Sequence, residues 1–133
     1  MENTKKIIVA QKAIIFNEDG KILTIRRSET AGRRALTWDL PGGNLEFGEE
    51  SKSSLLREIQ EEVAIEVEDL LILGISEAFD SLDAFRVTIG YTAKAKTTNV
   101  TLSYEHDAYK WVTPEEFNQL DIYEPHRKLV NSI

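Results

Sequence analysis

The sequence predicts a mixed α/β sandwich, a sheet with helices packed on its faces. Three observations carry that expectation. β-Branched and apolar runs bounded by turn residues recur along the 133-residue chain. One segment between them, Glu50 to about Val63, changes to helical spacing. Two short segments near the end each open with a proline, Pro114 and Pro125. No repeat, low-complexity tract or Pro/Gly/Ser-rich linker divides the chain, so residues 1–133 read as one domain.

The elements follow in order. Lys6–Phe16 is β-branched and apolar, interrupted only by Gln11 and Lys12, and reads as a strand. Asn17-Glu18-Asp19-Gly20 is a turn signal, and Lys21–Arg27 resumes alternation, which predicts a hairpin. Ser28–Thr37 is polar and carries Gly32, Arg33 and Arg34, so it reads as a loop. Trp38–Leu40 is a short extended piece, after which Pro41-Gly42-Gly43 is expected to break regular structure. In the helical segment Leu55, Leu56, Ile59 and Val63 form one apolar stripe. Ile65–Phe79 is strand-like with a break near Gly74, Ser81–Ala84 is a turn, and Phe85–Lys96 is again a strand. Tyr109–Val112 is a short strand. Thr113-Pro114-Glu115-Glu116 then supplies a cap, a proline at the first helical position and a glutamate three after the cap. Pro125 opens a last helix through Val130.

Composition excludes several classes. There is no cysteine, hence no disulfide scaffold, no thiolate metal site and no cysteine nucleophile. This fits a reducing compartment, and a cytoplasmic location is expected. With 16 basic and 23 acidic side chains the net charge is −7, against a nucleic-acid or anionic-membrane binder. A nucleotide substrate stays open, because a bound cation can reverse the local field. The longest apolar runs, such as Leu70–Leu73, fall far short of the ~20 residues a membrane span needs. Asn99-Val100-Thr101 fits a glycosylation pattern that has no secretory signal to accompany it.

The chemistry concentrates in Gly43–Glu49 and Arg57–Glu62. On a helix Glu58, Glu61 and Glu62 lie within an arc of about 100°. Glu61 and Glu62 also sit near the helix C-terminus, where the macrodipole disfavours anions by ~0.3–1 kcal/mol each. Arg57, four residues before Glu61, gives the only local relief. Such a cluster is either a solvated acidic face or a site for a cation, and all-oxygen donors favour Mg²⁺ or Mn²⁺.

Gly43–Ile65 resembles the Nudix box of the MutT-like hydrolases: Gly43, Glu49, Arg57, Glu58, Ile59, Glu61, Glu62 and Ile65 stand in register. Ala64 stands where the pattern has glycine, at a helix exit that often needs a left-handed residue. The helix exit is therefore expected to be mildly strained. Trp38–Gly43, Ile22–Arg27, Ser103–His106 with Trp111-Val112, and Thr113–Leu120 also look like family elements, so the likeness covers nearly the whole chain.

The resemblance implies the Nudix α/β/α sandwich and metal-dependent hydrolysis of a nucleoside diphosphate linked to another moiety. That moiety makes the substrate a nucleoside triphosphate, an ADP-ribose-like compound or a dinucleotide. It implies Glu58, Glu61, Glu62 and the Gly42 carbonyl as metal ligands, and Arg57 as the group that orients the carboxylates. Glu49 matches a position at the loop–helix junction. Glu105 matches the general base, with Glu58 or His106 as competitors for that role. Arg27 matches a phosphate-contacting arginine, and Trp38 and Gly43 match substrate-contacting positions. Tyr123 stands near the place where mutator-type members carry an asparagine, which counts against oxidised guanine nucleotides. The resemblance allows a homodimer. Two other readings compete: a Nudix-fold nucleotide-sensing module, and an isoprenoid isomerase relative, which the lack of cysteine disfavours.

Overall fold

The computed structural model describes residues 4–133, so residues 1–3 of the expected 1–133 domain lie outside it. Among the described residues there are seven strands and three helices, in the order the sequence predicts except for one additional short strand, Gly42–Asn44. β1 (Lys6–Phe16) turns at Asn17–Gly20 into β2 (Ile22–Arg27). The short strands β3 (Trp38–Asp39) and β4 (Gly42–Asn44) precede α1 (Ser51–Val63). β5 (Val67–Ser81) and β6 (Ala84–Ala95) form a long hairpin, then β7 (His106–Val112) leads to α2 (Pro114–Phe117) and α3 (Glu124–Asn131). Among the described residues no helix is long and apolar enough to cross a membrane.

β1 organises the sheet. It runs parallel to β6 along its whole length, Lys6↔Ala84 to Phe16↔Lys94. Its expected hairpin with β2 exists but consists of one pair, Phe16↔Ile22. β2 then diverges and pairs antiparallel with β7. The edge of β1 beyond that pair is taken by β4, antiparallel with Gln11↔Gly43 and Lys12↔Gly42. This corrects the expectation that Pro41-Gly42-Gly43 breaks all regular structure. Glycine is what allows the pairing: a Cβ at Gly42 would lie 1.9 Å from the Gln11 carbonyl oxygen, and its φ is +147°. The break expected near Gly74 is a register irregularity inside the continuous strand β5.

Both faces of the sheet are covered. Ala13 and Ile15 face Leu55, Ile59 and Val63 of α1 in one core. Ile14, between them, faces Phe117, Leu129 and Val130 of α2 and α3 in the other. That alternation is the pleat of β1 feeding two hydrophobic layers. Leu56 is 44% exposed and leaves the expected stripe, while Ser54 joins the buried face. The Thr113–Glu116 capping box forms as predicted, with both reciprocal hydrogen bonds present. Ala64 adopts φ 55°, ψ 38°, and its N–H donates to the carbonyls of Gln60 and Ile59. It therefore occupies the left-handed exit for which glycine is ordinarily chosen.

Candidate active site

The acids of α1 are sorted by helical angle. With ~100° per residue, Glu62 falls ~20° from Leu55 on the helix, Glu58 ~60° and Glu61 ~120° round on the same side. Accordingly Glu62 lines a cleft of about 510 Å³, together with Glu58, Gly42 and Gly43. Glu62 Oε1 accepts the Gly42 N–H at 2.8 Å. Burial pushes its carboxyl up to about 8, against the pull of Lys12 and of that hydrogen bond. Glu58 lies against Gly43 so closely that a Cβ there would meet its carboxylate at 2.9–3.1 Å. Burial raises the Glu58 pKa too, with Arg57 opposing.

Glu61 is 57% exposed at its side chain and is not in the cleft lining. Its Oε1 takes Arg57 Nη1 at 3.1 Å. Arg57 Nη2 reaches Glu49 Oε2 at 2.8 Å and Glu58 Oε1 at 3.5 Å, so one guanidinium holds three carboxylates. Glu49 ties the loop to the helix: its Oε1 accepts the Glu46 N–H at 2.8 Å and the Ser54 hydroxyl at 3.2 Å. The Glu46 N–H first, then Arg57, keep Glu49 below the usual carboxylate range.

Among the described residues no three acidic or histidine side chains converge as a ready metal cage. Glu58 and Glu62 nevertheless suit a hard divalent cation. Both are oxygen donors, both carry an uncompensated burial penalty, and both face one cleft. Magnesium sites are commonly built from one or two carboxylates completed by substrate phosphates.

The remaining predicted residues divide. Arg27 lines the cleft, with its Nε donating to the Arg33 carbonyl at 2.7 Å and Nη1 3.5 Å from Asp39 Oδ2. Glu105 is exposed at the lip, where its carbonyl accepts the Ser28 N–H at 2.9 Å. His106 is not in the acidic loop as expected but is the first residue of β7, buried by pairing opposite Arg27. It lines the cleft, and neither ring nitrogen has a hydrogen-bond partner. Trp38 is not brought to the cleft: pairing with β2 on one side and Ile122 on the other directs its ring beneath Lys110 Nζ, 4.9 Å away.

Sequence reasoning missed the polar floor of the cleft. Lys12 Nζ donates to Asp39 Oδ2 and to the Leu40 carbonyl, each at 3.1 Å. Burial alone would raise the Asp39 pKa, but Lys12 overrides it and holds the carboxyl well below its ordinary range. His126, from α3, lies with Nδ1 3.3 Å from Asp39 Oδ1, and burial lowers its pKa to about 3. The signal for Lys12 was present: a lysine midway along an apolar strand needs a partner when that strand is central. Asp39 and His126 have no comparable local signal.

The model of the NUDIX domain matches residues 6–133. A "MutT-like protein" of Streptomyces ambofaciens is 31% identical over 111 residues, which are 84% of this chain and 67% of that protein. A "Putative 8-oxo-dGTP diphosphatase 2" of Mycobacterium tuberculosis is 35% identical over 104 residues, 73% of this chain and 65% of that one. The chain thus spans about two thirds of these relatives' length. The crystal structure of the MutT protein from Methanosarcina mazei Go1 superposes with a TM-score of 0.83 at 32% identity, covering 96% of this chain and 92% of the other.

Proposed function

The chain belongs to the NUDIX family, and from that premise we propose that it hydrolyses the pyrophosphate bond of a nucleoside diphosphate linked to another moiety. The observation that carries the reading is the pairing of Glu58 and Glu62 with the Gly42-Gly43 strand in a cleft that also holds Lys12 and Arg27. Anionic and cationic groups in one cleft suit a metal ion and a phosphate chain together.

Glu58, Glu62 and the Gly42 carbonyl would hold Mg²⁺ or Mn²⁺. The ion supplies charge neutralisation at the phosphoryl oxygens and a lower pKa for a bound water. Arg57 keeps Glu58 in position by its contact at 3.5 Å and keeps Glu61 turned outward. Lys12 and Arg27 offset the phosphate charge. Glu105 takes the proton from the attacking water, whose oxygen bonds to phosphorus as the bridging P–O bond breaks and the second phosphate departs. A small nucleotide in the cytoplasm is the partner in this reading, without stable nucleic-acid binding. The cation is the only further component it requires.

The test is a Mg²⁺-dependent phosphate and pyrophosphate release screen across nucleoside triphosphates, ADP-ribose-like compounds and dinucleotides. Turnover in one class, abolished by EDTA, is the expected result. Tight binding without turnover of any class would favour a nucleotide-sensing module instead.

A further inference from the structure

The cleft carries both signs of charge. Arg33, Arg34 and Arg86 line it as well as Glu58 and Glu62. Two of these arginines, Arg33 and Arg86, are built around one buried carboxylate. Asp80 Oδ2 accepts Arg86 Nε at 2.7 Å and Arg33 Nη1 at 3.1 Å, and Asp80 Oδ1 accepts the Tyr123 hydroxyl at 2.9 Å. Arg86 Nη1 donates to Asn44 Oδ1 at 2.9 Å. Asn44 is two residues beyond Gly42 on β4, so the anchored guanidinium is displaced by ~7 Å of strand from the glycine that holds Glu62.

Arg33 and Arg86 share the single Asp80 carboxylate, and Arg34 adds a third guanidinium outside that network, in a chain whose net charge is −7. The Arg34 guanidinium stacks on the Tyr123 ring at 3.8 Å, and its buried Nη1 has no hydrogen-bond partner. Arg34 also holds a left-handed backbone, φ 49°. Burial lowers its pKa, against the pull of the Asp39 carboxylate. The same region lacks a platform for a base. Among the described residues no Phe, Trp or Tyr lines the cleft, and the Tyr123 ring is already taken by Arg34 on its face and His126 at its edge. Guanidinium forks without an aromatic surface match a planar or tetrahedral oxyanion.

We propose that Arg33, Arg34 and Arg86 form a second anion subsite, which takes a phosphate group located away from the scissile pyrophosphate. The preferred substrates are then nucleotides with a further phosphate on the nucleoside side, such as a 2′- or 3′-phosphorylated ribose. The inference rests on the catalytic reading only for the placement of the scissile bond at Glu58 and Glu62.

Binding to the metal-free protein separates the two ideas. In EDTA, adenosine 2′,5′-bisphosphate and adenosine 3′,5′-bisphosphate are titrated against AMP by calorimetry. At least one bisphosphate should bind at least tenfold tighter than AMP, with a steeper salt dependence. Arg34→Gln should remove the preference, and Glu62→Gln should leave it intact while abolishing Mg²⁺-dependent turnover. Arg34 is the variant of choice because Arg86 is buried in the Asp80 network and its loss risks the fold. Equal affinity for the bisphosphates and AMP overturns the subsite and leaves the hydrolase reading standing. A preference for GMP over AMP that is lost in Arg34→Gln also overturns it, since the arginines would then be reading a base edge. A retained bisphosphate preference with no turnover of any nucleotide overturns the hydrolase reading alone.

Discussion

Glu62 is where burial and charge conflict most directly. In the metal-free fold its pKa is about 8, against 4.5 for an ordinary glutamate. Between those values the folded protein holds a proton that the unfolded chain has released. Its contribution to stability is therefore complete below pH 4.5 and lost as pH rises through 8. Glu62→Gln keeps the shape and an oxygen for the Gly42 N–H but cannot ionise. In EDTA the variant should gain on the wild type by at least ~1 kcal/mol between pH 5 and pH 8. Parallel denaturant titrations at the two pH values measure this, and a constant difference would place the charge elsewhere. In Mg²⁺ the same variant should lose at least ~100-fold in turnover, having lost a metal-holding carboxylate. Glu105 offers a second test at this scale. If it removes the proton, Glu105→Gln should cut kcat by ~10²–10⁴ with KM nearly unchanged. A larger loss in His106→Gln would instead assign the proton to the buried imidazole, whose two nitrogens have no partner.

α1 shows how an element can be assembled against its own local preferences. Its N-cap Glu50 makes no side-chain capping bond, and neither end carries a favourable charge for the dipole. Tertiary contacts hold the start of the helix instead. Gln11 Nε2 donates to the Ser51 carbonyl at 3.0 Å, and Glu49 with Arg57 binds the preceding loop to the first turns. At the exit, Ala64 in the left-handed region costs ~1–2 kcal/mol relative to a relaxed residue. Glycine would avoid that cost but lose ~0.5–1 kcal/mol more through the unfolded chain. Ala64→Gly should therefore raise stability by roughly 0.5–1 kcal/mol, a Tm increase of about 2–4 °C. Differential scanning calorimetry is the measurement, and an unchanged or lower Tm would show that the strain has no energetic weight. Activity should stay unchanged, because Ala64 does not line the cleft.

Across the whole molecule, two hydrophobic layers fix where the polar cleft opens. β1 supplies alternate residues to both cores, and its polar pair Gln11 and Lys12 lies where β4 has replaced β2 as its neighbour. Groups from β1, β2, β3, β4, α1, β6, β7 and α3 meet there, so folding assembles a site from segments far apart in the chain. A ligand that binds only the folded protein contributes RT ln(1 + [L]/Kd), ~2.7 kcal/mol at a hundredfold excess over Kd. Mg²⁺ or Mn²⁺ should accordingly raise the melting temperature over EDTA, with the increase diminished in Glu62→Gln. Identical melts at millimolar metal would mean that no preformed cation site exists without substrate phosphates.

The sequence by itself determined the order of elements, the α1 stripe of Leu55, Ile59 and Val63, the Thr113 capping box and the left-handed exit at Ala64. These depend on interactions a few residues apart, which spacing records directly. It also marked Glu58, Glu62, Gly42, Gly43, Arg27 and Glu105 as candidate site residues, because their pattern resembles a family. Only the tertiary structure decided that Glu61 stays out of the cleft, that Trp38 lies under Lys110, and that Gly42–Asn44 is a strand beside β1. It alone brought Lys12, Asp39 and His126 together, and set Arg33 and Arg86 on Asp80 with Arg34 over the ring of Tyr123. The physical reason is distance along the chain. Asp39 and His126 are 87 residues apart (126 − 39). Periodicity cannot register such pairs, and they meet only because packing on both faces of β1 leaves them one shared opening.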